Sequence, residues 1–145
     1  MKPKVVRKVP IKKPKIKTIA KLKAEVQRHF NLFIRNRDIT NGQFTCISCQ
    51  KILPAANCQA GHFFGTKNYN HMRYLETNVH SECQQCNGFN HDSLIWYCIN
   101  IQRKIIKEEF NNLLALSQQE KKEFTREELE KLKNIYKNKN KQYVT

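Results

Sequence analysis

Two Cys-x-x-Cys pairs, Cys46-x-x-Cys49 and Cys83-x-x-Cys86, constrain this chain more than any other feature of its sequence. Each pair offers two thiolates on one tight turn, and together they supply the four sulfurs of a tetrahedral zinc site. Four protein thiolates leave no open coordination position, so such a site is structural rather than catalytic. The 33 residues between the pairs exceed the loop of a simple zinc ribbon, so the metal staples a larger unit. Zinc binding is then a large part of the folding free energy. Cys58 and Cys98 are left over. Cys98 reads as core on an apolar helix face, and Cys58 as a buried free thiol or as a ligand in a different pairing.

The remaining composition narrows the class. A length of 145 residues suits one domain. The net charge of +15 points to a polyanionic partner, most simply nucleic acid. That charge is uneven: residues 1–17 carry eight Lys or Arg and no acid, whereas 39–97 carry three charges of each sign. No apolar run suits a membrane span, and the basic N-terminus lacks the apolar stretch of a secretory signal. The expectation is a cytoplasmic protein with no membrane partner, whose cysteines bind metal instead of forming disulfides.

In chain order, residues 1–17 combine lysines with three prolines and read as a disordered basic arm. Lys12 and Lys13 there either track phosphates or merely keep the chain soluble. Residues 18–145 read as a single domain. Thr18 caps a helix over about 18–38, with Leu22, Val26, Phe30 and Phe33 along one face and Lys21, Lys23, Arg28 and Arg35 opposite, on a basic face that either contacts nucleic acid, with Arg35 as the candidate, or is only solvated. Asn41-Gly42 marks a turn. Residues 44–92 form the stapled centre: a strand over 59–64 presenting His62, a polar loop, a returning strand over 74–80, and a helix carrying Asn87. Residues 93–145 supply the C-terminal helices. The first runs over 94–116 on Ile95, Ile99, Ile106 and Phe110, and capping boxes at Ser117/Glu120 and Thr125/Glu128 mark further helix starts. The fold class is α+β, mostly helical, with a ββα core.

The insert also carries the residues of a hydrolytic centre. His62 is the candidate general base, because imidazole titrates in the range needed to deprotonate water. The Asn78 amide either orients that base or braces the hairpin. Asn87 projects from its helix toward His62, and its amide oxygen is a hard donor suited to Mg²⁺ or Mn²⁺. Lys67, His71 and Arg73 are either phosphate contacts or merely solvated loop residues, and Tyr69 and Tyr74 either stack on unpaired bases or pack against the fold.

These motifs, Cys46-x-x-Cys49, Ala60-Gly61-His62, Asn78 and Cys83-x-x-Cys86-Asn87, resemble the lambda NinG (Rap) family of phage recombination nucleases. The stretch Phe33-Ile34-Arg35-Asn36-Arg37-Asp38 resembles the same family. More broadly the unit is similar to the His-Me finger (HNH-type) fold, including the zinc-stapled endonuclease VII-like resolvases. The resemblance implies a Mg²⁺- or Mn²⁺-dependent endonuclease acting on branched DNA, such as Holliday junctions and D-loops. It makes His62 the base, Asn87 the metal ligand and Asn78 the orienting amide. One position departs from the pattern. Many HNH-type centres carry an Asp metal ligand just before the catalytic His, and here that residue is Gly61. Either Asn87 is the main protein ligand, or Glu76, His80 or His91 completes the shell. Two alternatives stand beside this reading: a non-catalytic zinc-dependent nucleic-acid-binding module, and an HNH nuclease of other specificity. Because junction resolution requires two symmetric cuts, a homodimer joined through the helices from Leu94 onward is expected.

Overall fold

The computed structural model describes residues 16–88 and 92–144. The arm expected at 1–17 falls almost wholly outside them, as do Lys12, Lys13 and His91. The described chain is α+β and mostly helical: five α-helices and two small two-stranded sheets.

Helix α1 (Ile19–Asp38) starts where Thr18 Oγ1 accepts from the Lys21 N–H at 3.3 Å. Leu22, Val26, Phe30, Phe33 and Ile34 are buried, as the helical period requires. Each contributes about 1.5–3 kcal/mol of transfer free energy. They pack on α5 (Arg126–Lys141), whose Leu129 and Tyr136 share the same cluster. Phe30 meets Tyr136 edge-on at 4.9 Å, and Tyr74 likewise at 5.7 Å. The Thr125/Glu128 capping box forms in both directions, so the start of α5 is where its sequence sets it. No helix starts at Ser117.

Between α1 and the first cysteine pair, Asn41 and Gly42 both take positive φ, 51° and 73°. This is the primed turn that Asn-Gly favours, and Thr40 and Gln43 exchange both backbone bonds across it. Strand β1 (Gln43–Thr45) pairs with β2 (Ile52–Pro54), so the first cysteine turn is the tip of a hairpin of its own. The sequence pattern did not reveal this hairpin, because each strand has three residues and shows no usable alternation.

Strand β3 (Cys58–His62) pairs antiparallel with β4 (Val79–Cys83), in the register Cys58↔Cys83 through His62↔Val79. The returning strand therefore begins later than 74–80 suggests, since two short 3₁₀ turns, Asn70–Met72 and Glu76–Asn78, occupy the ground before it. Helix α2 (Gln84–Gly88) comes directly after β4 and carries Cys86 and Asn87.

The expected long helix over 94–116 is two helices, α3 (Ser93–Lys104) and α4 (Lys107–Ser117). Ile105 and Ile106 between them are extended, with ψ near 157° and 154°. Glu109 reaches back to accept from the Ile106 N–H at 3.1 Å and caps the new start. The buried face of α3 is also not the expected one. Tyr97 and Ile101 face the core, whereas Ile95 is 62 % exposed and Ile99 lies outside it. Cys98 is half-buried on that outer side. Among the described residues no helix is long and apolar enough to cross a membrane.

Candidate metal centre and the β3–β4 hairpin

The two cysteine pairs meet at the end of the β3–β4 hairpin. The Sγ atoms of Cys46, Cys49, Cys83 and Cys86 all lie within 4.8 Å of one another, and those of Cys49 and Cys83 are 4.0 Å apart. Ligands on a tetrahedral zinc with bonds of ~2.3 Å stand about 3.8 Å apart, so the donor set fits the ion. Gln50 takes φ of 59° to close the first turn, and its N–H donates to the Cys46 carbonyl. The Cys83 N–H donates to Cys46 Sγ at 3.3 Å and supports that sulfur as a thiolate. Burial pushes the Cys46 thiol up to about 11 and Cys86 higher still, where neighbouring sulfurs add to the effect. Cys49 runs the other way: burial opposes it, but the Lys51 N–H and adjacent thiols draw it down. A cation among the four reverses the upward shifts. Cys58 stays outside the set, with its Sγ 3.1 Å from Ser81 Oγ, and is a buried free thiol.

Strand pleat sorts the hairpin into two faces. Ala60 and Val79 turn toward the α1 core, and His62 is on their side, 6.5 Å from the Phe30 ring. Gln59, Gly61, His80 and Glu82 point the other way, toward α2 and α3. His62 is half-buried, and its Nε2 lies 2.9 Å from the Arg73 carbonyl. A carbonyl only accepts, so Nε2 carries the proton and Nδ1 keeps its lone pair. Burial and the Arg73 charge lower the imidazole below its ordinary value, against that bond, so it is neutral at pH 7.

Asn78 is a brace. It is fully buried; its Oδ1 accepts from the Phe64 N–H, and its Nδ2 donates to the Phe64 and Met72 carbonyls. These bonds fix the chain where it leaves β3. Asn87 is exposed, and its Nδ2 donates to Gln59 Oε1 at 2.8 Å. Since Gln59 and His62 are on opposite faces of β3, Asn87 does not project toward His62 as the sequence suggested.

Several other expected contacts take structural parts. Arg73 donates to Asn70 Oδ1 and Gln27 Oε1 and is spent inside the fold. Arg35 is half-buried against the Cys58 thiol, so it is no free surface cation. His71 Nε2 donates to the Leu116 carbonyl, and Tyr74 is buried with its hydroxyl donating to the Lys23 carbonyl. Glu76 is held by Tyr136 and Lys139 of α5. His80 is buried with Nδ1 beside Arg37 and Nε2 donating to the Thr77 carbonyl. Lys67 alone of the loop cations stands in solvent. Tyr69 lines an apolar groove of ≈ 560 Å³ with Phe63, Phe64, Leu94 and Ile95.

Glu82 is the residue that sequence reading passed over. It is 4 % exposed, its Oε1 accepts from the Ser48 hydroxyl, and burial raises its carboxyl above the ordinary range, against that bond. Its place opposite Gln59 comes from the strand register, which no local pattern encodes.

Known proteins bear out the resemblance at family level. The family profile described as bacteriophage lambda NinG protein matches residues 3–144. Protein ninG of Escherichia phage lambda is 33 % identical over 84 residues, covering 58 % of this chain and 39 % of that protein. Protein ninG of Salmonella phage P22 is 33 % identical over 81 residues, covering 56 % and 38 %. The match thus spans about two fifths of the length of these curated relatives. No solved structure matches. With its profile match running almost end to end, the chain belongs to the NinG family of bacteriophage lambda.

Proposed function

We propose that this protein is a metal-dependent endonuclease that hydrolyses phosphodiesters in branched DNA, such as Holliday junctions and D-loops, during phage recombination. The observation that carries the reading is the hairpin itself. A neutral His62 ends β3 with a free ring nitrogen, Asn78 braces the exit, and α2 brings Asn87 to the opposite face. That succession of strand, strand and helix is what a His-Me finger uses.

His62 takes the proton of the attacking water at Nδ1, while the Arg73 carbonyl holds Nε2–H and fixes the ring. Asn87 offers a hard oxygen for Mg²⁺ or Mn²⁺, an ion that when bound would polarise the phosphate and stabilise the leaving oxygen. The four cysteines would hold zinc, which when bound would fix the hairpin to α2 and, with no open coordination position, take no part in the reaction. Lys67 supplies a phosphate contact, and a second copy docked through α3 supplies the symmetric cut.

The separation of His62 from Asn87 favours the second reading, a zinc-dependent nucleic-acid-binding module without catalysis. One experiment decides. A labelled four-way junction and a linear duplex of the same sequence are incubated with wild type and His62→Ala, in Mg²⁺ or Mn²⁺ and then in EDTA. Metal-dependent cuts near the branch, absent from the mutant and from the duplex, are expected. Tight junction binding with no cleavage under either metal would establish the binding module instead.

A further inference from the structure

We propose that Glu82 is the carboxylate of the divalent-cation site, delivered from β4 into the space that position 61 leaves open. The inference rests on the nuclease reading above. Gly61 and Glu82 share one face of the hairpin. A β-carbon on residue 61 would stand 2.9 Å from Glu82 Cβ and closer still to Oε2, inside any ordinary contact. Backbone conformation does not explain this glycine, since among the described glycines only Gly42 takes positive φ. The explanation is the facing side chain, which fills the volume where an Asp at 61 would sit.

The surroundings of Glu82 call for a cation. Among the described residues it pairs with no Lys, Arg or His; only the Ser48 hydroxyl reaches it. A buried carboxylate without a positive partner is unfavourable. Its cross-strand partner Gln59 and the Asn87 amide bonded to Gln59 bring two neutral oxygen donors to the same face. The one imidazole on this face, His80, has both ring nitrogens engaged by Arg37 and the Thr77 carbonyl, which leaves one carboxylate and two amides, a donor set that selects Mg²⁺ or Mn²⁺ over zinc. The cysteine cluster, all sulfur, has the opposite preference. The two kinds of ion are thereby sorted by donor chemistry within one hairpin.

The test is a Mn²⁺ titration of the zinc-loaded protein, following the free-ion signal by electron paramagnetic resonance. Wild type is compared with Glu82→Gln and with the double variant Gly61→Asp/Glu82→Gly, which removes every atom that a β-carbon at 61 would meet and moves the carboxylate across to the other strand. Glu82→Gln is expected to weaken Mn²⁺ binding roughly tenfold or more, with zinc content and melting temperature held, and the double variant to recover it. Glu82→Gln binding Mn²⁺ as wild type does would overturn the proposal. If Glu82→Gln does not fold, the double variant decides, recovered binding supporting the assignment and absent binding overturning it. The outcomes also separate the two proposals. Wild-type Mn²⁺ affinity and junction cleavage both retained by Glu82→Gln would sink this assignment alone. No Mn²⁺ binding and no cleavage by wild type would sink the nuclease reading, and the Glu82 assignment with it.

Discussion

Asn78 bonds Phe64 in both directions, accepting from its N–H at 2.8 Å and donating to its carbonyl at 3.1 Å. One side chain thus completes the backbone pairing of a residue fourteen positions earlier, just where β3 gives way to loop. Asn78→Ala strands three backbone groups and is expected to cost about 3 kcal/mol of stability. Chemical denaturation measures it. Asn78→Asp, which sets a carboxylate oxygen against the Phe64 and Met72 carbonyls in a fully buried site, should cost at least as much. A loss under about half a kilocalorie per mole for Asn78→Ala would show that water replaces the brace without penalty.

Zinc should be present at one ion per chain, measured by elemental analysis of purified protein. Cys46→Ser or Cys86→Ser is expected to abolish both the metal and the cooperative thermal transition, because burial disfavours the thiolates unless a cation compensates. Cys58→Ser should keep the full zinc content, since Cys58 bonds Ser81 instead. Loss of zinc from Cys58→Ser would redraw the ligand set.

His62→Ala should melt near wild type. The ring is half-buried on Phe30 and makes one bond, so its removal is expected to cost about 1 kcal/mol. A melting temperature as low as that of a cysteine mutant would mark His62 as structural.

The pH dependence of stability should carry the signature of His80. Burial, with Lys104 and Arg37 close by, holds this imidazole at about 4 against the counter-pull of Asp38 and the Thr77 carbonyl. An unfolded chain titrates its His near ~6.5. Between those values the unfolded state binds a proton that the folded state refuses, so stability falls as pH drops from about 6.5 toward 4. The loss is about 3 kcal/mol at most. Denaturation of zinc-loaded wild type and His80→Gln across that window checks it, with the variant expected to show the shallower slope. Equal slopes would assign the acid sensitivity elsewhere.

Leu94, Ile95 and Trp96 stand more than half exposed on α3. If two copies meet there, Leu94→Glu combined with Trp96→Glu should turn a dimer into a monomer by light scattering. Wild type that stays monomeric with and without junction DNA would remove the dimer.

What could be read from the sequence depended on how local the cause was. The stripe of Leu22, Val26, Phe30 and Phe33 and the Thr125/Glu128 box act within a few residues, and α1 and α5 form as they dictate. The cysteine spacing encodes a cluster because tetrahedral geometry leaves few options. On α3 two apolar stripes compete. Ile95 and Ile99 look more like core than Tyr97 does, but the Tyr97 hydroxyl donates to the Gly61 carbonyl and accepts from the His80 N–H, which decides the rotation. The partnership of Gly61 with Glu82 depends on a strand register across a long loop, and the separation of His62 from Asn87 on strand pleat. Neither is written in any window of adjacent residues.

The packing of α5 on α1 bears on how the molecule is made. Tyr136 lies against Phe30, and Asn140 Nδ2 donates to the His29 carbonyl across more than a hundred residues of chain. During synthesis α1 precedes α5 by nearly ninety residues and keeps its apolar face uncovered until α5 has left the ribosome. The cysteine cluster closes over less than half that span, so a nascent chain can capture its metal while the helical layer is still waiting for its last strip of surface.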